Sequence, residues 1–207
     1  MLRMTEIFYS LQGETSFVGL PTVFIRLTGC PLRCQYCDTA YAFSGGKRMS
    51  LSDIMNQVRT YPTRYVTVTG GEPLAQKACL DLLKILCDEN YNVSLETSGA
   101  LDVAAVDPRV IKILDIKTPA SKESHRNLWS NIEHMRPQDE FKFVICDRAD
   151  YDWSVNLLNT MGLAEKSTVL FSPSAEQLSA KQLVDWILDD GLKVRFQVQL
   201  HKIIGVA

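Results

Sequence analysis

Three cysteines fall within eight residues, in the run Thr28-Gly29-Cys30-Pro31-Leu32-Arg33-Cys34-Gln35-Tyr36-Cys37-Asp38-Thr39. Their spacing is Cys-x3-Cys-x2-Cys, and no fourth cysteine or histidine lies close by. A structural zinc site is normally closed by four ligands, usually as two short pairs. Three thiolates suit a cubane [4Fe–4S] cluster instead, with one iron free of protein and open to a small molecule. Zinc completed by Cys79, Cys87, Cys146 or a distant histidine is the alternative for the same residues. Bare surface thiols this close together would oxidise readily.

Other chemistry-bearing residues follow apolar, β-branched runs that read as buried strands: Thr22–Leu27, Tyr65–Thr69, Asn92–Glu96, Val110–Ile116, Phe141–Cys146, Thr168–Phe171 and Val194–Leu200. The cysteine loop follows the first run, Gly70-Gly71-Glu72-Pro73 the second, and Glu96-Thr97-Ser98-Gly99 the third. Asp115 and Lys117 close the fourth, Ser172-Pro173 the sixth and His201-Lys202 the seventh. Helical patterns at Ser50–Thr60, Leu74–Glu89, Asp150–Met161 and Ser179–Asp190 lie between the runs, and Ala120–Arg136 is irregular. Strand alternating with helix predicts a parallel sheet with right-handed crossovers, whose strand C-termini share one rim. Gly-Gly or Ser-Pro alone is ordinary turn chemistry. Six strand ends carrying Cys, Glu, Lys and His point to a shared site.

The 207 residues carry 22 Lys+Arg against 24 Asp+Glu, and 46% are hydrophobic. No repeat or linker divides them, so one domain over residues 1–207 is expected. A complete eight-unit β/α barrel needs about 250 residues, so the fold class expected is α/β with a shortened, open barrel. Net charge −2 and a pI near 5.9 argue against a nucleic-acid partner. No apolar run has the length of a membrane span, and the start MLRMTEIFYS lacks a signal-peptide pattern, which leads to the expectation of a cytoplasmic protein with reduced cysteines. Cys79, Cys87 and Cys146 then read as core residues, as do Trp153, Trp186 and Phe196, while His125 and His134 read as surface.

The triplet with Tyr36 before its last cysteine, placed after the first run and joined by Gly70–Pro73, resembles the radical S-adenosylmethionine (SAM) enzymes. Within them, Leu11-Gln12-Gly13-Glu14, Arg26 inside an apolar run, Cys37-Asp38-Thr39, Glu96-Thr97-Ser98-Gly99 and the C-terminal Gln199–Ala207 resemble the 7-carboxy-7-deazaguanine synthase family from about Glu6 onward. The resemblance implies a lyase of queuosine and deazapurine biosynthesis that contracts 6-carboxy-5,6,7,8-tetrahydropterin to 7-carboxy-7-deazaguanine with loss of ammonia. It implies a [4Fe–4S] cluster on Cys30, Cys34 and Cys37, reusable SAM as the source of a 5′-deoxyadenosyl radical, and Mg2+ on Thr39. A flavodoxin or ferredoxin electron donor and a homodimer also come with it.

By the same resemblance, Tyr36, Cys37, Asp38, Gly71, Glu72, Glu96, Ser98, Asp115, Ile116 and Lys117 face SAM. Leu11, Gln12, Gly13, Glu14, Arg26, Thr69 and His201 face the pterin. Arg26 offers a bidentate fork for a carboxylate, and an internal ion pair is its alternative use. A loop hydrogen bond is the alternative for Thr39, a structural pairing for Glu96, and a satisfied strand-end histidine for His201. The chain departs from relatives at Thr15, where Gly is common, and at Asp115-Ile116-Lys117, which often reads Ser-Pro-Lys. The Ala207 carboxylate is expected near the mouth, capping substrate with His201. A glycyl-radical-enzyme activase, or a non-catalytic zinc or Fe–S module, is the competing assignment.

Overall fold

The computed structural model describes residues 1–175 and 177–206. Its first two strands form an antiparallel hairpin, β1 (Leu2–Leu11) with β2 (Pro21–Leu27), and β3 (Lys47–Met49) pairs with the far edge of β1. From β2 onward the sheet is parallel, through β4 (Tyr65–Gly70), β5 (Asn92–Thr97), β6 (Ile111–Ile116), β7 (Glu140–Ile145), β8 (Thr168–Pro173) and β9 (Arg195–Phe196). The strand order is β3-β1-β2-β4-β5-β6-β7-β8-β9, so β3 and β9 remain edges and the barrel is open, as its length demanded.

Helices α1 (Leu51–Val58), α2 (Cys79–Asp88), α3 (Arg148–Thr160), α4 (Leu163–Lys166) and α5 (Ala180–Asp189) lie between strands, and α6 (Leu200–Ile204) follows β9. Ser50, Asp147 and Ser179 start α1, α3 and α5, each accepting a backbone N–H in the first turn. Three short 3-10 turns occupy the irregular stretch after β6. Among the described residues no helix is long and apolar enough to cross a membrane.

The strands alternate. Val66, Val68, Val93, Leu95, Phe141, Phe143, Val169 and Phe171 belong to the apolar cluster shared with Leu82, Leu86 and Leu183 of the helices. The intervening positions, Thr67, Thr69, Ser94, Glu96, Asp115, Lys142 and Ser172, must face the opposite side, the lumen of the partial barrel. One face therefore holds the protein together and the other is free to be polar. Each fully buried Leu or Phe on the outer face contributes about 1.5–3 kcal/mol.

Four sequence expectations change. The run Val194–Leu200 is not a full strand: β9 has two residues, because the ladder with β8 ends after Phe196 and the Gln197 N bond to Phe171 O, and Leu200 N then turns to Gly13 O. His201 consequently stands in α6 and not at a strand end. Helix α2 starts at Cys79 and not at Leu74, since Gln76 is extended, with its amide bridging Arg3 O and Thr28 O. Leu11 ends a strand, β1, which the sequence reading omitted, and Gln12–Glu14 follows it.

Candidate active site

The cysteine loop leaves β2 through Gly29, whose φ of +101° and N–H to Ala42 O turn the chain sharply. Arg33 braces the turn: its guanidinium donates to Cys30 O at 2.8 Å and covers the Phe43 ring at 4.3 Å. Cys37 N bonds Cys34 O, and Gln35 N bonds Ser121 O, tying the loop to the stretch after β6. All three thiols are free and half-buried. Burial raises Cys30 and pushes Cys34 up to about 11, so neither is a ready thiolate. A metal that displaces the protons is what such thiols suit. No three Cys, His, Asp or Glu side chains among the described residues surround a single ion position. A cluster needs no such point, since each thiolate holds a different iron.

The Gly-Gly turn explains why the loop lies where it does. A Cβ at Gly71 would stand 2.3 Å from Gly29 O and 2.8 Å from Cys30 Cβ, and one at Gly70 would stand 2.2 Å from Leu27 O. These glycines let the end of β4 press against the cysteine loop, a cradle that any side chain would fill. Glu72 is fully buried and already engaged. Its carboxylate accepts from Thr97 Oγ1 at 3.0 Å, Ser98 N at 2.7 Å, Ser98 Oγ and Leu74 N. It ties the end of β4 to that of β5, and the Ser98 hydroxyl is spent in the same tie. The Tyr36 hydroxyl is the opposite: buried, raised by that burial, and without a hydrogen-bond partner among the described residues. An orphaned donor beside the cysteines fits a loop shaped for a ligand.

The lumen holds a connected polar layer. Gln12 Nε2 donates to Thr67 Oγ1 at 3.0 Å and Glu96 Oε1 at 3.4 Å, and Thr69 Oγ1 donates to Glu96 Oε2 at 2.9 Å. Glu14 is buried, with Oε1 accepting from Gln199 and Oε2 on the Lys142 ammonium. Lys142 also lies 4.0 Å from Asp115, which holds Lys117 at 3.0 Å. Burial alone would raise Glu14, but Lys142 carries it below the usual carboxylate range. Glu96 goes the other way, raised by burial and then by the charge of Glu14. Burial works against Lys142 and Lys117, yet the neighbouring carboxylates leave both raised. Two adjacent carboxyls are thus driven apart, one toward the anion and one toward the acid.

Arg26 bonds Glu6 Oε1 through Nε at 2.8 Å and lies between the rings of Phe8 and Tyr41. Tyr41 also donates to Glu6, so the guanidinium is fixed from one side. Leu11 ends β1, and Gly13 takes α6 directly: Leu200 N bonds Gly13 O at 2.9 Å, and a Cβ there would meet the His201 ring at 2.1 Å. Burial lowers His201. Lys202 pairs with Asp38 at 2.6 Å, and Thr39 Oγ1 donates to Asp38 at 2.8 Å. Burial would raise Asp38, but Lys202 brings it to about 2. Thr15 adopts φ +67° in a buried position, a left-handed conformation that suits glycine. The Ala207 carboxylate lies outside the described residues.

The sequence reading missed Lys142 and Glu6, and gave Gln199 and Lys202 no role of their own. Lys142 carries the same signal as Arg26, a cation within an apolar run, Phe141-Lys142-Phe143. Glu6 had none, because β1 was not anticipated.

Residues 24–116 match the Radical SAM superfamily model. A "7-carboxy-7-deazaguanine synthase" of Chlorobaculum tepidum is 44% identical over 98% of this chain and 94% of its own length. That of Koribacter versatilis is 40% identical over 98% and 96%, and that of Thermoplasma acidophilum 36% over 98% and 97%. The solved structure "Crystal structure of QueE from Escherichia coli" superposes with a TM-score of 0.80, covering 97% of this chain and 94% of that one at 23% identity. Its likeness concerns the fold. A second neighbour, Streptococcus suis SuiB bound to S-adenosylmethionine, gives 0.58 at 15% identity, over 83% of this chain and 48% of that one.

Proposed function

The chain belongs to the 7-carboxy-7-deazaguanine synthase family of radical SAM enzymes, and from that premise we propose its reaction and the residues that serve it. It converts 6-carboxy-5,6,7,8-tetrahydropterin to 7-carboxy-7-deazaguanine with loss of ammonia, as one domain over residues 1–207. The observation that carries this is that the cysteine loop and the charged lumen layer open on the same rim, at the C-terminal ends of the parallel strands.

Cys30, Cys34 and Cys37 would hold the [4Fe–4S] cluster, and the segment Tyr36–Asp38 with Gly71, Glu96 and Asp115–Lys117 would receive SAM. When bound, these groups supply one-electron cleavage of a carbon–sulfur bond, which starts hydrogen abstraction from the substrate. Glu72 and Ser98 contribute by holding the ends of β4 and β5 together. The terminal nitrogens of Arg26 are aimed by the Glu6 bond and offer a fork for the substrate carboxylate. Gln12 and Thr69 fix Glu96, which is biased to keep its proton, while Glu14 is an acceptor for the pterin amino group and ring N–H. His201 and α6 cover the substrate loop and exclude water.

Mg2+ would bind Thr39: its hydroxyl donates a hydrogen bond to Asp38, which leaves oxygen lone pairs for a hard cation. The family resemblance further supports a flavodoxin or ferredoxin donor, a cytoplasmic location and a homodimer. The test is anaerobic incubation of the reconstituted protein with SAM, reductant and the carboxytetrahydropterin. Deazaguanine product with about four irons and four sulfides per chain is expected. Cleaved SAM without that product would overturn the substrate assignment.

A further inference from the structure

Lys142 belongs to none of the motifs that mark the cluster, SAM or substrate segments, yet it stands between two carboxylates of the lumen. Its ammonium rests on Glu14 Oε2, with Asp115 at 4.0 Å on the neighbouring strand. Lys117, the other buried cation nearby, is taken by Asp115 at 3.0 Å. Glu14 therefore has Lys142 as its one direct cationic partner among the described residues. Glu14 is further held at Oε1 by Gln199 and at its backbone N–H by Gln12.

We propose that Lys142 is a positioning residue that holds Glu14 as a fixed carboxylate and so selects ring substrates presenting an amino group beside a ring N–H. The proposal rests on the function given above and deepens it. Each carboxylate oxygen has two acceptor positions. With Lys142 on one oxygen and Gln199 on the other, one position per oxygen remains, which matches two adjacent donors on a pterin edge. Were stability the only demand, an apolar side chain here would be as good or better, since buried ion pairs seldom repay their desolvation. The groups facing this pair are Glu96 from β5, Asp115 from β6 and Lys117 just after it, Arg26 from β2, Asp38 from the cysteine loop and His201 from α6. Without Lys142, burial pushes Glu14 toward the neutral acid, which offers a donor where the ligand also donates.

The test is fluorescence titration of 6-carboxypterin, and of its 2-oxo analogue 6-carboxylumazine, into the anaerobic SAM-loaded holoenzyme from about pH 6 to 9. Wild type is expected to bind carboxypterin with little pH dependence and to prefer it over the lumazine. Lys142→Met should weaken carboxypterin about tenfold or more at neutral pH, lose the preference, and recover as pH rises and Glu14 ionises. Lys142→Arg should stay within a few-fold of wild type. Glu14→Gln should show the same loss without the pH recovery, and the double variant should be no worse than Glu14→Gln alone. If Lys142→Met does not fold, as judged by circular dichroism, Lys142→Gln takes its place in the cycle. Unchanged ligand preference in the lysine variant, or losses that add to that of Glu14→Gln, would overturn the proposal. Failure of wild type to make the deazaguanine while it still discriminates the two ligands would sink the reaction assignment and leave this inference standing.

Discussion

Thr15 and Asp38 show how much a single position carries. A β-branched residue at φ +67° pays for a conformation that suits glycine, and the bond from Phe17 N to its hydroxyl offsets part of this. Thr15→Gly should therefore stabilise the chain by about 0.5–1 kcal/mol, read as a higher urea midpoint at unchanged slope. Asp38 has a folded pKa of about 2 against an ordinary 3.8, owing to Lys202. Its sign is that of a depressed carboxyl: the α6 latch is complete above about pH 4 and is lost as pH falls through about 2. Hydrogen exchange of residues 200–204 should be flat near neutrality and rise below pH 4, and Lys202→Met should remove that acid step. The cysteines and Arg26 were legible because spacing and a misplaced charge are visible in one line of residues. Lys142 gave the same sign as Arg26.

Between elements, glycine decides contact. Gly71 brings the end of β4 within reach of Gly29 and Cys30, where backbone atoms on both sides cannot retreat as a flexible side chain would. Gly71→Ala should lower bound iron and sulfide per chain strongly while the thermal midpoint moves less, because the apolar cluster lies on the other face of the sheet. Anaerobic iron and sulfide analysis beside a melt checks this; full cluster occupancy would contradict it. Six of the nine strands were legible at close to their observed extents. β1 and β3 were not, since an antiparallel hairpin before a β/α pattern leaves no helix to announce it. β9 was overestimated because an edge strand is ended by what docks beside it, here the Leu200–Gly13 bond, and not by its own apolar run.

At the scale of the molecule, the division of the sheet into an apolar outer face and a polar lumen separates stability from chemistry. The core of Val66, Val68, Leu95, Phe143 and Phe171 with α2 and α5 includes none of the three loop cysteines. Removal of iron by anaerobic chelation should then leave the far-UV circular dichroism and the cooperative melt in place, in contrast to small zinc domains that unfold without metal. A chain that loses its secondary structure on chelation would show that the loop is part of the core after all.

The order of residues alone determined the cysteine spacing, the strand–helix alternation, the glycine turn and the open barrel that 207 residues permit, because each is written in neighbours or in total length. The tertiary structure decided that Glu14, Glu96, Asp115 and Lys142 meet, that Glu6 claims Arg26, and that Glu72 is spent on Thr97 and Ser98. These side chains come from separate strands and loops. Their charges are fixed by burial and by partners distant in sequence, and both quantities exist only once the sheet has brought its strands side by side.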